Sequence, residues 1–381
     1  MKKLLLTTII ALAMLGFSAV AAVAETIKIG AILAVTGGAS FLGAPEARTL
    51  EMLAEELNEQ GGINGKKVEL IIRDSAGSPE RAMSFTRQLI EEQRVFAIIG
   101  PSTSGETMRI KQIAEGGRTI LISLAAAEAI VNPLARYVFK TPQNDRFAAM
   151  QIFKTMNDMG ISKIAVVSGN TGFGQAGRNQ IAQIAPDYGI EILENEVYDS
   201  RATDLSALVT RLMSNREVEA VVNWSIVPAQ AILARNMRQA GWEVPLFQSH
   251  GFGNIRYVEA AGRAAEGIIF PAGRLLVADV LPADHPQKEV LVTYQENYEA
   301  RFNEPVSTFG GHAYDAFHIL VRAIEEAGTD REAVRDAIEN MQGFVGTGGI
   351  FNFSATDHNG LDIDAFSMLT VKDGQFVKLE Q

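Results

Sequence analysis

The chain has 381 residues, of which 47% are hydrophobic and 21% charged, with a formal net charge of −11 and no cysteine. This is an ordinary globular composition, and the length suggests two domains. It excludes disulfides and thiol chemistry, and an acidic balance argues against nucleic acid, whose binding needs basic clusters.

The N-terminus reads MKKLLLTTIIALAMLGFSAVAAVAE. Two lysines, an uncharged apolar run and Ala22-Val23-Ala24 have the layout of a cleaved signal peptide over residues 1–24. Cleavage leaves a mature chain of 357 residues from Glu25 and moves the net charge to −13, because Lys2 and Lys3 are lost. An exported chain without cysteine has no thiol to lipidate. The expectation is therefore a freely soluble protein in the periplasm, and no later segment is long and apolar enough to span a bilayer.

Strand-like and helical patterns then alternate. TIKIGAIL precedes a helix near Gly43 to Glu59, and an Asn64-Gly65 turn leads into the strand KKVELIIRDS. A helix through RAMSFTRQLIEE, the strand VFAIIG, a helix through MRIKQIAEG and the strand TILISL follow. This β-α-β-α order implies a parallel sheet. After YVFKTPQND a second unit repeats it, with a helix near Arg146 to Met159, the strand KIAVVS and a helix after Gly174. Next come IEILENEVY, a helix near Leu205 to Met213, AVVNWS, a helix near Ala229 to Ala240, and PLFQS. Three helical segments between His285 and Met341, and a hairpin turning at Asp373-Gly374, complete the chain. The fold class is α/β, with two Rossmann-like doubly wound lobes.

Ligands of such sheets bind beyond the carboxyl ends of the strands. The loops at those ends are GGASFLGAPE, GPSTSGET, SLAAAEA, GNTGFGQAG, NWSIVP and SHGFGN. They hold glycine, hydroxyls and aromatics, with almost no acid, base or nucleophile. Ser102, Thr103 and Ser104 lie where a helix begins, so they either cap it or, with its free N–H groups, hold an anion. Gly172-x-Gly174-x-x-Gly177 has the spacing of a dinucleotide fingerprint. Ser168-Gly169-Asn170-Thr171 lengthens the turn before it, however, and an exported protein rarely meets free NAD. The alternative is a helix start at a cleft, with Phe173 as a wall. The five histidines lack metal spacing, and neither a Gly-x-Ser-x-Gly elbow nor a phosphate-loop lysine occurs. No catalytic group and no cofactor is expected. His250, in a strand-end loop, is a candidate ligand contact.

The stretches IKIGAILAVTGGASFLG, LNEQGGINGKKVELIIRDSAGSPERA, AIIGPSTS, FKTPQND, GFGQAG and AAEGIIFPAG resemble the periplasmic solute-binding proteins of ABC transporters for branched-chain amino acids and related compounds. The resemblance covers the mature chain. It implies two lobes, residues 25–143 with 275–351 and residues 144–274 with 352–381, joined by a three-stranded hinge and closing on a ligand. In amino-acid binders of that family, a serine matching Ser104 holds the ligand carboxylate. The next strand's loop gives a backbone group and a threonine, where this chain has Ala125 and Ala127 and so lacks the hydroxyl; Ala126 between them is a further candidate contact. Phe173 stands for a cleft tyrosine, Tyr314 matches another, and His250 stands where an acid takes the ligand ammonium.

A buried ammonium needs a carboxylate partner, and His250 is not one. With Phe41, Phe173, Trp224 (beside Ser225) and Phe252 as walls, the expected ligand is an apolar or aromatic carboxylate. The subset resembled through FKTPQNDR, PAGRLLVADVLPADHPQK and STFGGHAYDA is associated with uptake of p-coumarate and related acids. The alternatives are a branched-chain or other hydrophobic amino acid, or a ligand-sensing receptor subunit. The expected partners are a small-molecule carboxylate and membrane permease subunits, with the protein itself a monomer.

Overall fold

The computed structural model describes residues 26–380, so the expected signal peptide lies outside the described residues. Five parallel strands form the first sheet: β1 (Ile27–Leu33), β2 (Val68–Asp74), β3 (Ala97–Ile99), β4 (Ile120–Ser123) and β5 (Val138–Lys140), in the order β2-β1-β3-β4-β5. Ile29 of β1 pairs with Leu70 on one side and Ala97 on the other. Helices α1 (Ser40–Glu59), α2 (Pro79–Arg87) and α3 (Ser104–Gly116) make the crossovers. Both sheet faces are thus covered, which is why β1, β3 and β4 read as near-continuous apolar runs.

The second sheet has seven strands. β6 (Lys163–Gly169), β7 (Glu191–Tyr198), β8 (Ala220–Trp224), β9 (Leu246–Gln248) and β10 (Ile269–Ala272) are parallel. Two short strands, β11 (Phe344–Val345) and β12 (Ile350–Phe351), pair apart from both sheets. The second sheet ends in the hairpin of β13 (Ser367–Lys372) and β14 (Gln375–Lys378), giving the order β14-β13-β10-β9-β8-β6-β7. The hairpin turns where expected, on Asp373 (φ +52°) and Gly374 (φ +74°), the left-handed pair a two-residue turn requires. The helices of this lobe are α4 (Asp145–Asp158), α5 (Gly172–Ile184), α6 (Ser206–Ser214), α7 (Ala229–Gln239) and the short α8 (Ile255–Ala261).

The three later helices, α9 (Lys288–Phe302), α10 (Thr308–Ala327) and α11 (Arg331–Glu339), return to the first sheet. Leu291, Tyr294, Phe317 and Val334 bury with Ile29 and Ile122. The last passage between lobes comes later than residue 351. Phe353, Leu361 and Ala365 still bury with the first core, and Phe366 is the first to join the second. The physical reason is a clasp on the strand leaving β5: the Asn359 amide donates to the carbonyls of Pro142 (2.9 Å) and Lys140 (3.3 Å).

Beside that clasp, Thr141 donates to the His312 carbonyl at 2.9 Å, and Gln143 to the Gly348 carbonyl at 2.7 Å. Asp315 accepts the N–H groups of Thr347 (2.6 Å) and Gly348 (2.7 Å). The connecting strands are therefore fixed at their ends by buried hydrogen bonds, which leaves few dihedrals free to act as the hinge.

Candidate ligand-binding cleft

The strand-end loops of the two sheets face one another, and a cavity of about 20 Å³ lies between them. The first lobe contributes Leu42 and Ser102, Ser104 and Leu124, Ala125, Ala126 and Pro142, then Phe309 and His312 from α10. Phe173, Ile226, His250 and Gly251 come from the second lobe. A solute pocket is typically about 300–1,000 Å³, so the lobes are closed here. Leu42, Ala126 and Phe309 accordingly bury among second-lobe side chains.

Further contacts span the closed cleft. The Thr308 N–H donates to the Gly253 carbonyl at 3.0 Å, and the Asn254 amide to the Phe41 carbonyl at 2.8 Å. Arg256 pairs with Glu304 at 3.2 Å, and Gln180 donates to Glu128.

The hydroxyl loop after β3 divides its work. Thr103 is the N-cap of α3, accepting from the Glu106 N–H at 3.4 Å and donating to the Glu106 carboxylate at 2.6 Å. This is a capping box, and Thr103 does not line the cavity. Ser102 does, but its oxygen accepts the Ala34 N–H at 2.9 Å and its proton goes to the buried Glu46. Burial holds the Glu46 carboxyl well above the usual range. Ser104 is different. Its oxygen accepts the Ala127 N–H at 3.3 Å, which leaves its own proton for the cavity. Ala127 is thus a positioning contact behind the lining formed by Ala125 and Ala126.

The three glycines of the fingerprint have packing reasons. A Cβ on Gly174 would stand 2.1 Å from the Gly169 carbonyl oxygen, and one on Gly177 would stand 2.1 Å from the Trp224 indole nitrogen. One on Gly172 would stand 2.5 Å from Gly105 Cα, across the cleft. The spacing brings α5 close to β8 and to the opposite lobe, with no dinucleotide needed.

His250 is 7% exposed, in a short turn after β9 capped by Ser249. Its ring packs edge-on against Phe173 (5.4 Å), Trp224 (5.6 Å) and Phe366 (5.6 Å), and neither ring nitrogen has a hydrogen-bond partner. His312 faces it from the first lobe, 5% exposed, with Nδ1 also unpartnered. Burial, and then the Lys140 ammonium, push the imidazole of His312 down to about 3 and that of His250 well below its ordinary value. Both are neutral. Lys140 is itself wholly buried, donating to the Ala126 carbonyl at 2.6 Å, and burial lowers its ammonium to about 8.

Besides Thr103 and Ala127, five further expected site residues do not line the cavity. Phe41 turns away onto Tyr257, ring centroids 5.1 Å apart, and the neighbouring Leu42 takes its place. Trp224 lies behind Phe173, 5.7 Å from its ring, and Ser225 is spent on the Val227 N–H and, through its carbonyl, on Ser249. Phe252 is core, stacked on Tyr257. Tyr314 faces Tyr294 at 4.9 Å inside the first lobe. Positions two apart on a helix point about 200° apart, so His312, not Tyr314, meets the cleft. The residues the sequence reading missed are Leu42, Leu124, Pro142, Ile226, Gly251, Phe309 and His312. Leu42, Leu124, Ile226 and Gly251 lie in the strand-end loops GGASFLGAPE, SLAAAEA, NWSIVP and SHGFGN, and Phe309 and His312 in STFGGHAYDA, but nothing in those stretches singled them out.

The periplasmic binding protein family profile matches residues 26–375. The chain belongs to that family. It is 26% identical over 357 residues to the leucine-, isoleucine-, valine-, threonine- and alanine-binding protein of Pseudomonas aeruginosa, covering 91% of this chain and 93% of that one. The crystal structure of an extracellular ligand-binding receptor from Rhodopseudomonas palustris superposes with a TM-score of 0.87 at 26% identity, covering 93% of this chain and 99% of that one. A branched-chain amino acid transporter substrate-binding protein of Streptococcus pneumoniae, solved with isoleucine, has the same fold, with a TM-score of 0.81 at 24% identity over 93% of this chain and all of that one. The chain has the two-lobed α/β fold of that family, and its relatives include proteins named for binding leucine, isoleucine and valine.

Proposed function

We propose that this protein is the solute-binding component of an ABC importer, acting in the periplasm after residues 1–24 are removed. It closes its lobes on a small hydrophobic carboxylate and presents the closed form to a membrane permease. The observation that carries this reading is the composition of the cavity. Apolar groups from both lobes surround unpartnered donors, and the N-termini of α3 and α5 converge there. Helix N-termini favour a negative charge, and the Ser104 proton adds a donor.

The lining suits two kinds of ligand body, either of which needs the lobes to part further than the cavity of about 20 Å³ allows. The names of the relatives favour a branched-chain amino acid. Phe173 and Phe309, as two aromatic faces, favour an aromatic acid such as p-coumarate. A thermal-shift panel on the mature protein, unfolded and refolded to strip bound ligand, tests the reading. A ligand at about 100 times its dissociation constant adds roughly 2.7 kcal/mol. No shift with leucine, valine, phenylalanine, benzoate, cinnamate or p-coumarate would overturn it.

A further inference from the structure

The charge of the cavity carries an inference about which carboxylates it takes. Among the described residues, no acidic side chain lines it. Glu46 is wholly buried behind Ser102, which donates to one of its oxygens, while Oε1 has no partner. A second buried acid, Asp145, accepts the Glu128 N–H at 3.0 Å. Opposite walls instead present two buried imidazoles with free nitrogens, His250 and His312.

A neutral imidazole has one N–H and one lone pair. Left unpartnered in an apolar cavity, such groups are costly, and a ligand that satisfies them gains what the empty cavity loses. A carboxylate has lone pairs for an N–H from each ring, above the buried Lys140. Within the lining an ammonium finds only neutral acceptors, and Lys140, buried behind them, is a like charge. An amino acid would have to leave that ammonium buried without a counter-ion.

We propose that His250 and His312 form a clamp, one arm from each lobe, that grips a ligand carboxylate and selects hydrophobic acids lacking an amino group. This rests on the reading of the cleft as a hydrophobic-carboxylate site. It makes the two histidines specificity-determining residues, and it makes the clamp complete only in the closed form, because its arms belong to different lobes.

Matched ligands test it by calorimetric titration of the refolded wild type. 4-Methylpentanoate is leucine without the amine, and 3-phenylpropanoate is phenylalanine without it. The amine-free member of a pair is expected to bind at least tenfold more tightly. His250→Leu and His312→Leu should each weaken its binding about ten- to a hundredfold, the range for a hydrogen bond to a charged group. His250→Gln and His312→Gln, which keep a donor, should recover part of that loss. Leucine binding as tightly as 4-methylpentanoate, or more tightly, would overturn the clamp, leave the carboxylate reading standing and point to Glu46 as the ammonium partner. Failure of both pairs to bind would overturn the carboxylate reading itself. Undiminished affinity in a Leu variant of unchanged melting temperature would remove that histidine from the site.

Discussion

Gly172, the first residue of α5, lies against Gly105, the second of α3, so that a Cβ built on Gly172 would stand 2.5 Å from Gly105 Cα. The two helices belong to different lobes. Their N-termini meet this closely because Gly172 has no side chain.

Gly172→Ala therefore penalises closure. Overpacking of this kind costs about 1–3 kcal/mol, but only in the closed form, while the open form loses nothing. The expected result is ligand affinity weakened by that amount, with the melting temperature of the ligand-free protein unchanged or slightly raised. Gly105→Ala is the control: its Cβ would lie 3.6 Å from Gly172, an ordinary contact, and affinity should change little. Titration of both variants checks the pair.

Ser104→Ala should weaken binding of a carboxylate by about 1–3 kcal/mol, since it removes a donor to a charge and also orphans the buried Ala127 N–H. Ser102→Ala should behave differently. Its hydroxyl serves Ala34 and Glu46, so the loss should appear chiefly as a lower urea midpoint of the ligand-free protein.

His312 gives the acid limb of stability a defined sign. Its folded-state value of about 3 lies below the ordinary imidazole value of about 6.5. Between those two, the unfolded chain binds a proton that the folded chain does not, so stability falls as pH falls through the window. Asp145 and Asp315 act oppositely. Burial raises them to about 6 and about 7, so each favours the folded state as pH falls toward the ordinary carboxylate range. Comparing His312→Leu with wild type isolates the histidine. Urea unfolding at pH 6.5 and 4.5 should show the variant losing less on acidification, by up to about 1.4 kcal/mol per pH unit.

Arg256 on α8 and Glu304 between α9 and α10 meet at 3.2 Å across the cleft rim, both partly exposed. Such pairs contribute about 0.2–1 kcal/mol and are screened by salt. Arg256→Ala should weaken ligand binding by no more than that. The difference from wild type should shrink at high ionic strength, which titrations at two salt concentrations would detect.

The lobes were legible in the sequence because buried parallel strands read as apolar runs and helices as a 3.6-residue period. The strand-end loops followed from that alternation, and with them Ser102, Ser104, Ala125, Ala126, Phe173 and His250, all of which line the cavity. What the pattern does not carry is direction at a helix that is apolar nearly all round. α10 buries Phe309, His312, Ala316, Phe317 and Leu320, so nothing in its periodicity tells which face meets the other lobe. Tyr314 was expected from the resemblance alone, and the periodicity of α10 could not replace it with His312. Phe41 and Phe252 failed for a related reason. A strand-end aromatic can face the ligand or the core, and each found an aromatic partner in Tyr257.

The central claim is that the ligand binds between the lobes, and Trp224 offers a direct reporter. It lies wholly buried, 5.6 Å from His250 and 5.7 Å from Phe173, and the only other tryptophan is Trp242. The measurement is a fluorescence titration of the refolded Trp242→Phe protein with 4-methylpentanoate and leucine, neither of which absorbs or emits with the indole. The account predicts a saturable one-to-one change in Trp224 emission, at the same midpoint as the thermal stabilisation. Thermal stabilisation with Trp224 emission unchanged would place the ligand elsewhere and contradict it.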